Sequence, residues 1–426
     1  EQQLNANKDT YVLFLDLVKA FDSVNRELLW KILQKYGVPN HLIGVIKKMY
    51  TDITIAISTG KDVSEFLSTS GVKQGDNLAP LLFLFAIMAA SELIDKRWDS
   101  DEYNLGHPDL HMSTMNPCIN KKETSLKRQM MIKFYKSFYA DDSAFIFTSF
   151  EKLVLGSKLI VEQFQRVGLQ VHLGENANGK RIDSKTKALF IAGRKSSSAS
   201  PPDSFDVLPG RHVSFVKSFK YLGTIITDDL DDTMEIQSRI QAAEYLAWKM
   251  RRVLRNTGLP KKLRARFYVQ GPLNKLLYGI ESCALTKTLK SKLTAFHNKQ
   301  ARRIHGSTRW HHQHEKLKME TIFKELDLAP LDTYADTRIF KFIEYKLIEP
   351  TKKTNYPSIV STVALCHATP KNVGSGRTPT TIQSSWATLL KIHGGLATVI
   401  GFNIEAAGNI ISKYFRNRKV SSPRAH

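Results

Sequence analysis

A chain of 426 residues with 42% hydrophobic content is long enough for two or three domains with sizeable cores. Its three cysteines, Cys118, Cys283 and Cys366, stand far apart, which excludes a disulfide framework or a cysteine-rich zinc site. No run reaches the roughly 18 apolar residues of a membrane span; the best, Leu78 to Ala90, reads as a core helix.

The formal charge of +22 is unevenly spread. Residues 1–232 carry 29 basic and 28 acidic side chains, 233–310 carry 17 and 3, and 311–426 carry 16 and 9. A charge run is often only a solvated face, but a helical stretch so heavily of one sign is the footprint of a surface that follows a phosphate backbone.

In chain order, Tyr11 to Leu15 is an apolar strand that delivers Asp16 at its end. Asp22 or Ser23 is placed to cap a helix carrying Val24, Leu28, Leu29, Ile32 and Leu33 on one face. A second helix is expected over His41 to Tyr50, then a hairpin from Ile53 to Ser68 turning at Thr59–Asp62. Gly71 and Gly75 let the backbone pass close to a ligand, and Gln74 between them offers a side-chain amide before the helix from Leu78 to Leu93. A polar interval, Asp95 to Gln129, reads as an insertion.

The stretch Met131–Phe147, MIKFYKSFYADDSAFIF, predicts a β-hairpin with Tyr139-Ala140-Asp141-Asp142 as its tight turn. Asp-Asp is either plain turn chemistry or a cation site, because adjacent like charges repel unless something neutralises them. Asp16 supplies a third strand-borne carboxylate. Carboxylates from two neighbouring strands are what two divalent ions need for in-line nucleotidyl transfer, and Mg²⁺ prefers such oxygen ligands.

Beyond the hairpin, Glu151 to Arg166 predicts an amphipathic helix and Gly168 to Leu173 a strand. A polar loop, Glu175 to Asp183, precedes Lys185-Thr186-Lys187, and Ser196 to Pro202 is a low-complexity loop. Phe219 to Ile226 follows as a strand. Asp232 with Glu235 forms a capping-box pattern ahead of a helix whose apolar positions run from Ile236 to Leu254. Gly258-Leu259-Pro260 separates it from the next helix, and a third spans Lys287 to His305. His305, His311, His312 and His314 read as exposed or nucleic-acid-contacting rather than metal-binding.

Four ordered motifs, LDLVKAFDSV, Gly71 to Phe83, YADD and Phe219 to Thr224, resemble the palm of reverse transcriptases, most closely those of non-LTR (LINE-like) retrotransposons. The resemblance implies an α+β fold: a right-hand polymerase palm, an antiparallel sheet with helices, over 1–227 with truncated fingers, an α-helical thumb over 228–310, and a mostly helical C-terminal segment over 311–426. It implies an RNA-directed DNA polymerase with two Mg²⁺, or Mn²⁺, on Asp16, Asp141 and Asp142, with Lys185, ahead of Lys187, as proton donor to pyrophosphate. Phe21 would be the steric gate excluding a 2′-hydroxyl, which speaks against a viral-type RNA polymerase. Gln74, Gly75 and Tyr139 would contact the nucleotide, and Tyr221, Leu222 and Gly223 would form the primer grip. The expected partners are an RNA template, a DNA primer and deoxynucleotides, with Arg251, Arg252, Lys299, Arg302 and Arg303 on the duplex. The same ancestry implies a location in nucleus and cytoplasm. Asn77 and Ala79 depart from the usual proline and serine. The fifteen residues before Asp16 leave little room for fingers, so a noncatalytic scaffold that binds nucleic acid is the alternative.

Overall fold

The computed structural model of the chain describes Gln3 and residues 7–60, 62–108, 134–177, 180–193, 200–307 and 317–342. Contacts divide it into two units, one holding Ala6–Asp109 and Lys133–Leu222, the other continuing from Gly223. Each has its own apolar core.

In the first unit an eight-stranded sheet is built around β1 (Thr10–Leu15). Its sequence TYVLFL is apolar on both sides because both edges are paired and both faces covered. On one edge lies the hairpin β4 (Lys136–Tyr139) and β5 (Asp142–Phe147), with β5 antiparallel to β1. The hairpin from Ile53 forms β2 (Thr54–Thr59) and β3 (Asp62–Leu67) outside this sheet. On the other edge of β1 lies β8 (Lys187–Ile191), then β10 (Arg211–Phe215), which also pairs β9 (Ser204–Leu208). The expected wholly antiparallel sheet is corrected at one place: β10 runs parallel to β8. The polar interval before Lys185 is likewise not a loop but the hairpin β6 (Gly174–Ala177) and β7 (Lys180–Ile182), joined to the sheet through β10.

Helices α1 (Arg26–Lys35), α2 (Asn40–Met49), α3 (Ala79–Trp98) and α4 (Phe150–Arg166) complete this unit. The last follows Ser149, whose side chain accepts from the Lys152 amide. Gly156 lets α4 sit directly on β5, since a Cβ there would collide with the Phe147 ring. The cap of α1 is Asn25, accepting from Leu28 N at 3.0 Å, not Asp22 or Ser23. The earlier residues are spent on a turn in which Ser23 N–H donates to Lys19 O at 2.8 Å. Val24 and Leu29, both 1% exposed, then fall where a hydrophobic staple would place them. Gly168–Leu173 forms no strand, only an isolated bridge between Leu17 and Val171, while His172 N–H donates to Asp16 O at 2.9 Å.

The expected strand over 219–226 is two, β11 (Ser218–Tyr221) and β12 (Thr224–Thr227), separated by Leu222 and Gly223 at φ 49° and 83°. The unit beginning at Gly223 is otherwise helical: α5 (Thr233–Lys249), the single turn α6 (Arg251–Leu254), α7 (Lys261–Tyr268), α8 (Lys287–His305), α9 (Met319–Leu326) and α10 (Leu331–Phe342). Asp232 precedes α5 without a side-chain cap bond, because its carboxylate accepts from Ala284 N at 2.6 Å and Glu235 is engaged elsewhere. Leu293, Phe296 and Ile304 of α8 face the core as their spacing predicts, and Ile322, Leu326 and Leu331 extend it. Cys283 is buried, which pushes its thiol up. Cys118, Cys366, His311, His312, His314, most of the expected insertion, part of the Ser196 loop and 343–426 lie outside the described residues. No helix among the described residues is long and apolar enough to cross a membrane.

Candidate active site

The pairing of β1 with β5 sets the site. Leu15 faces Ser143, so the next step along each strand brings Asp16 beside Asp142. The hairpin closes between Tyr139 and Asp142, leaving Ala140 and Asp141 as a two-residue turn. Ala140 adopts φ 56°, a left-handed conformation that costs a non-glycine residue and collects at functional sites. Tyr139 is 67% exposed at the turn.

The electrostatics are those of crowded like charges with a single lysine at their edge. Partial burial, then the charges of Asp141 and Asp16, hold the Asp142 carboxyl above its ordinary value. Asp16 Oδ2 is buried and has no hydrogen-bond partner; Lys185 Nζ approaches it to 3.9 Å, outside hydrogen-bond range. The Asp16 backbone is fixed on both sides, its N–H donating to Thr186 Oγ1 at 3.1 Å and its carbonyl accepting from His172. Among the described residues no three His, Cys, Asp or Glu side chains are gathered as a ready ion-binding group.

The β1–β8 register, in which Phe14 faces Lys187, carries Lys185 opposite Asp16. Lys187 is instead occupied by Asp183. Lys185, 72% exposed, is therefore the lysine that remains at the carboxylates.

A second group of residues forms around the Gly71–Gly75 loop. Phe21 stacks on Phe83 of α3, centroids 4.6 Å apart, and its carbonyl accepts from Val72 N at 2.8 Å. Gln74 Nε2 donates to Asp22 Oδ1 at 3.1 Å, so the loop and the turn after Asp16 are tied together. Gly71 is required: at φ 79° its Cβ would lie 2.7 Å from the Asp22 backbone. Gly75, at φ 88°, faces open space. Arg26, unremarked in the sequence, donates to Gly71 O at 2.9 Å, Ser68 O at 2.6 Å and Ser70 O at 2.9 Å, pinning the loop's approach.

Tyr221 lies against Phe14, ring centroids 5.4 Å apart. Burial, opposed by Ser137 and assisted by the Asp142 charge, raises its phenol. Leu222 is 38% exposed. Gly223 is held within the helical unit: its carbonyl accepts from Arg239, whose partner Glu235 also accepts from Ile225 N at 2.8 Å. Arg239 further lies 4.6 Å over the Tyr278 ring. Of the basic candidates, Lys299 is paired with Glu244 at 2.8 Å and Arg302 reaches Met319 Sδ at 3.6 Å. Arg252 is exposed, and Arg251 lies 4.4 Å over Trp248. His305 is engaged by Glu325 at 2.9 Å.

The parts that Thr186, Asp22 and Arg26 play in holding the site leave no mark of their own in the sequence, and the Glu235–Arg239 pair is signalled only by its i,i+4 spacing.

Residues 1–226 match the model of the family described as reverse transcriptase (RNA-dependent DNA polymerase). The chain is 34% identical over 77 residues to the retrovirus-related Pol polyprotein from the type-2 retrotransposable element R2DM of Drosophila melanogaster, covering 18% of this chain and 7% of that protein. It is 21% identical over 300 residues to the Pol polyprotein from the type-1 element R2 of Popillia japonica, covering 69% and 42%. The chain thus spans less than half the length of these relatives. A solved telomerase from Candida tropicalis with a TWJ fragment of telomeric RNA aligns at a TM-score of 0.34 and 12% identity, over 84% of this chain and 49% of that one.

Proposed function

Because the chain belongs to the reverse transcriptase (RNA-dependent DNA polymerase) family, whose model matches its first 226 residues, we propose that it extends a DNA primer on an RNA template with deoxynucleotides, as the enzyme of a LINE-like retroelement. The observation that carries this reading is the β1–β5 pairing, which sets Asp16 and Asp142 side by side, with a buried Asp16 oxygen that no hydrogen bond satisfies and that the Lys185 ammonium approaches only to 3.9 Å.

Such a site fits divalent cations: they would satisfy Asp16 Oδ2 and relieve the repulsion that raises Asp142. Asp16, Asp141 and Asp142 would hold two Mg²⁺, with Mn²⁺ as a substitute, and when bound these supply charge stabilisation at the reacting phosphate. Lys185 stands beside Asp16, where its ammonium can neutralise a phosphate and give a proton to departing pyrophosphate. Phe21, fixed from behind by Phe83, presents a rigid ring where a sugar 2′-hydroxyl would need room. Gln74 and Gly75 border the nucleotide on a loop held through Asp22 and Arg26. In this reading the sheet unit is the palm, Tyr221 to Gly223 grip the primer end, and the basic helical unit is the thumb. Retroelement ancestry would also bring the protein to the nucleus as well as the cytoplasm.

The test is primer extension on an RNA template with deoxynucleotides and Mg²⁺, comparing the chain with an Asp141→Ala/Asp142→Ala variant. Extension lost in the variant supports the polymerase; duplex binding without extension by either protein supports a scaffold. Phe21→Val should raise ribonucleotide incorporation by about tenfold or more relative to deoxynucleotides, the size of effect a lost steric contact gives. An unchanged ratio would remove Phe21 from the gate.

A further inference from the structure

In the helical unit, α5, α6 and α8 enclose a cavity of about 160 Å³ lined by Trp248, Leu254, Arg251, Arg255, Gln300 and Arg303, among others. Three features separate it from ordinary packing. Gln300 is 3% exposed, yet its Nε2 has no hydrogen-bond partner. Burying an amide N–H without an acceptor is unfavourable, so it is a donor waiting for one. Trp248, by contrast, is 57% exposed, an unusual setting for the largest apolar side chain. Arg251 lies over the indole, and Tyr245, 57% exposed, stands nearly parallel to Trp248 at 6.1 Å with Lys249 over its ring at 4.7 Å.

From these residues we infer a binding site for one unpaired nucleotide of a single-stranded nucleic acid, separate from the carboxylate site. A cavity of about 150 Å³ accepts one benzene-sized ring; the space fits a single base and excludes a base pair. The base would meet an indole and a guanidinium, the groups on which unpaired bases stack. Gln300 Nε2 would donate to a ring nitrogen or carbonyl on the base edge, giving the site a base preference. Arg255 and Arg303 would flank the phosphates on either side of the bound nucleotide. Glu244, the acidic residue lining the cavity, has its charge met by Lys299 and Arg303, so it does not turn anions away. A duplex offers this site phosphates alone, because its base faces are already stacked. The surrounding excess of 17 basic over 3 acidic residues in 233–310 attracts either form, and only the pocket distinguishes them.

The experiment is fluorescence anisotropy on the full chain with an unstructured labelled RNA, a blunt duplex of equal length, and unlabelled mononucleotide as competitor. It involves no incorporation, so its result is independent of polymerase activity. Trp248→Ala should weaken single-strand binding about tenfold, at least about fivefold more than it weakens duplex binding, and Trp248→Phe should restore most of the loss. Gln300→Leu, which keeps the volume and removes the donor, should flatten the differences in affinity among the four homopolymers. Equal losses on single strand and duplex would reduce the site to phosphate contact and overturn the proposal. So would unchanged binding in both variants, or displacement of the RNA by mononucleotide at comparable concentration, which would make the ligand a free nucleotide.

Discussion

The two units differ in how they hold their buried carboxylates. In the helical unit, Glu235 and Arg239, with side chains 1% and 9% exposed, satisfy each other and also the backbone at Gly223 and Ile225. His297, fully buried, uses both ring nitrogens, accepting from Tyr268 Oη at 2.9 Å and donating to Ala329 O at 3.0 Å. In the sheet unit, Asp16 keeps a buried oxygen without a hydrogen bond, approached only by the Lys185 ammonium at 3.9 Å, and burial and its acidic neighbours raise Asp142. The first arrangement is what folding stability selects. The second opposes stability, as strained charge at catalytic sites commonly does. The helical unit has its own exceptions to satisfied polarity, among them Gln300 in the cavity and Arg264 Nε outside it.

The largest way to test the satisfied side is Arg239→Ala. It leaves Glu235 buried without its cation and should cost about 3–5 kcal/mol, read as lost hydrogen-exchange protection in α5. A loss under about 1 kcal/mol would mean the pair is solvated. Next is acid. Burial, partly offset by the bond to Ala329, lowers His297 to about 4 from its ordinary 6.5. Since the unfolded chain takes up the proton first, its stability contribution is complete above about pH 6.5 and is lost as pH falls toward 4, by about 3 kcal/mol. The two units should diverge here. Asp142, being raised, contributes stability below the ordinary carboxylate range and loses it as pH rises through its folded value. Exchange protection of α7 and α8 at pH 7 and 5 should fall in the chain and stay level in His297→Gln measured against its own pH 7 value. The smallest effect is at a neutral bond in the sheet unit: Asn25→Ala should destabilise α1 by about 1 kcal/mol, seen in a denaturation midpoint, with no change in pH dependence.

Much of the sheet unit was legible because its information is local. The apolar run ending at Asp16 and the YADD turn flanked by strand formers define β1, β4 and β5 before any partner is known, and family resemblance puts them in register. The remainder depended on choices that pattern does not decide. Asp22, Ser23 and Asn25 are all competent caps, and the turn held by Ser23 and Lys19 selects the third. Asp232 and Glu235 fit a capping box, but Ala284 and Arg239, from elsewhere in the unit, take their carboxylates. The parallel β8–β10 pair arises from a crossover that strand composition does not encode. Trp248 becomes a cavity wall only when α8 brings Gln300 and Arg303 across from it, a juxtaposition that no local pattern encodes.

On the proposed function, the Asp16–Asp142 neighbourhood is held against its own repulsion for the sake of bound cations. Asp142→Asn separates that role from ordinary packing, measured as melting temperature and as primer extension on the same protein without and with Mg²⁺. The variant should show a higher melting temperature without Mg²⁺ than the parent chain, a smaller gain from Mg²⁺, and extension reduced by about a thousandfold, about 4 kcal/mol of transition-state stabilisation. A lower melting temperature with an undiminished response to Mg²⁺ would contradict that role, and would make Asp142 a structural turn residue.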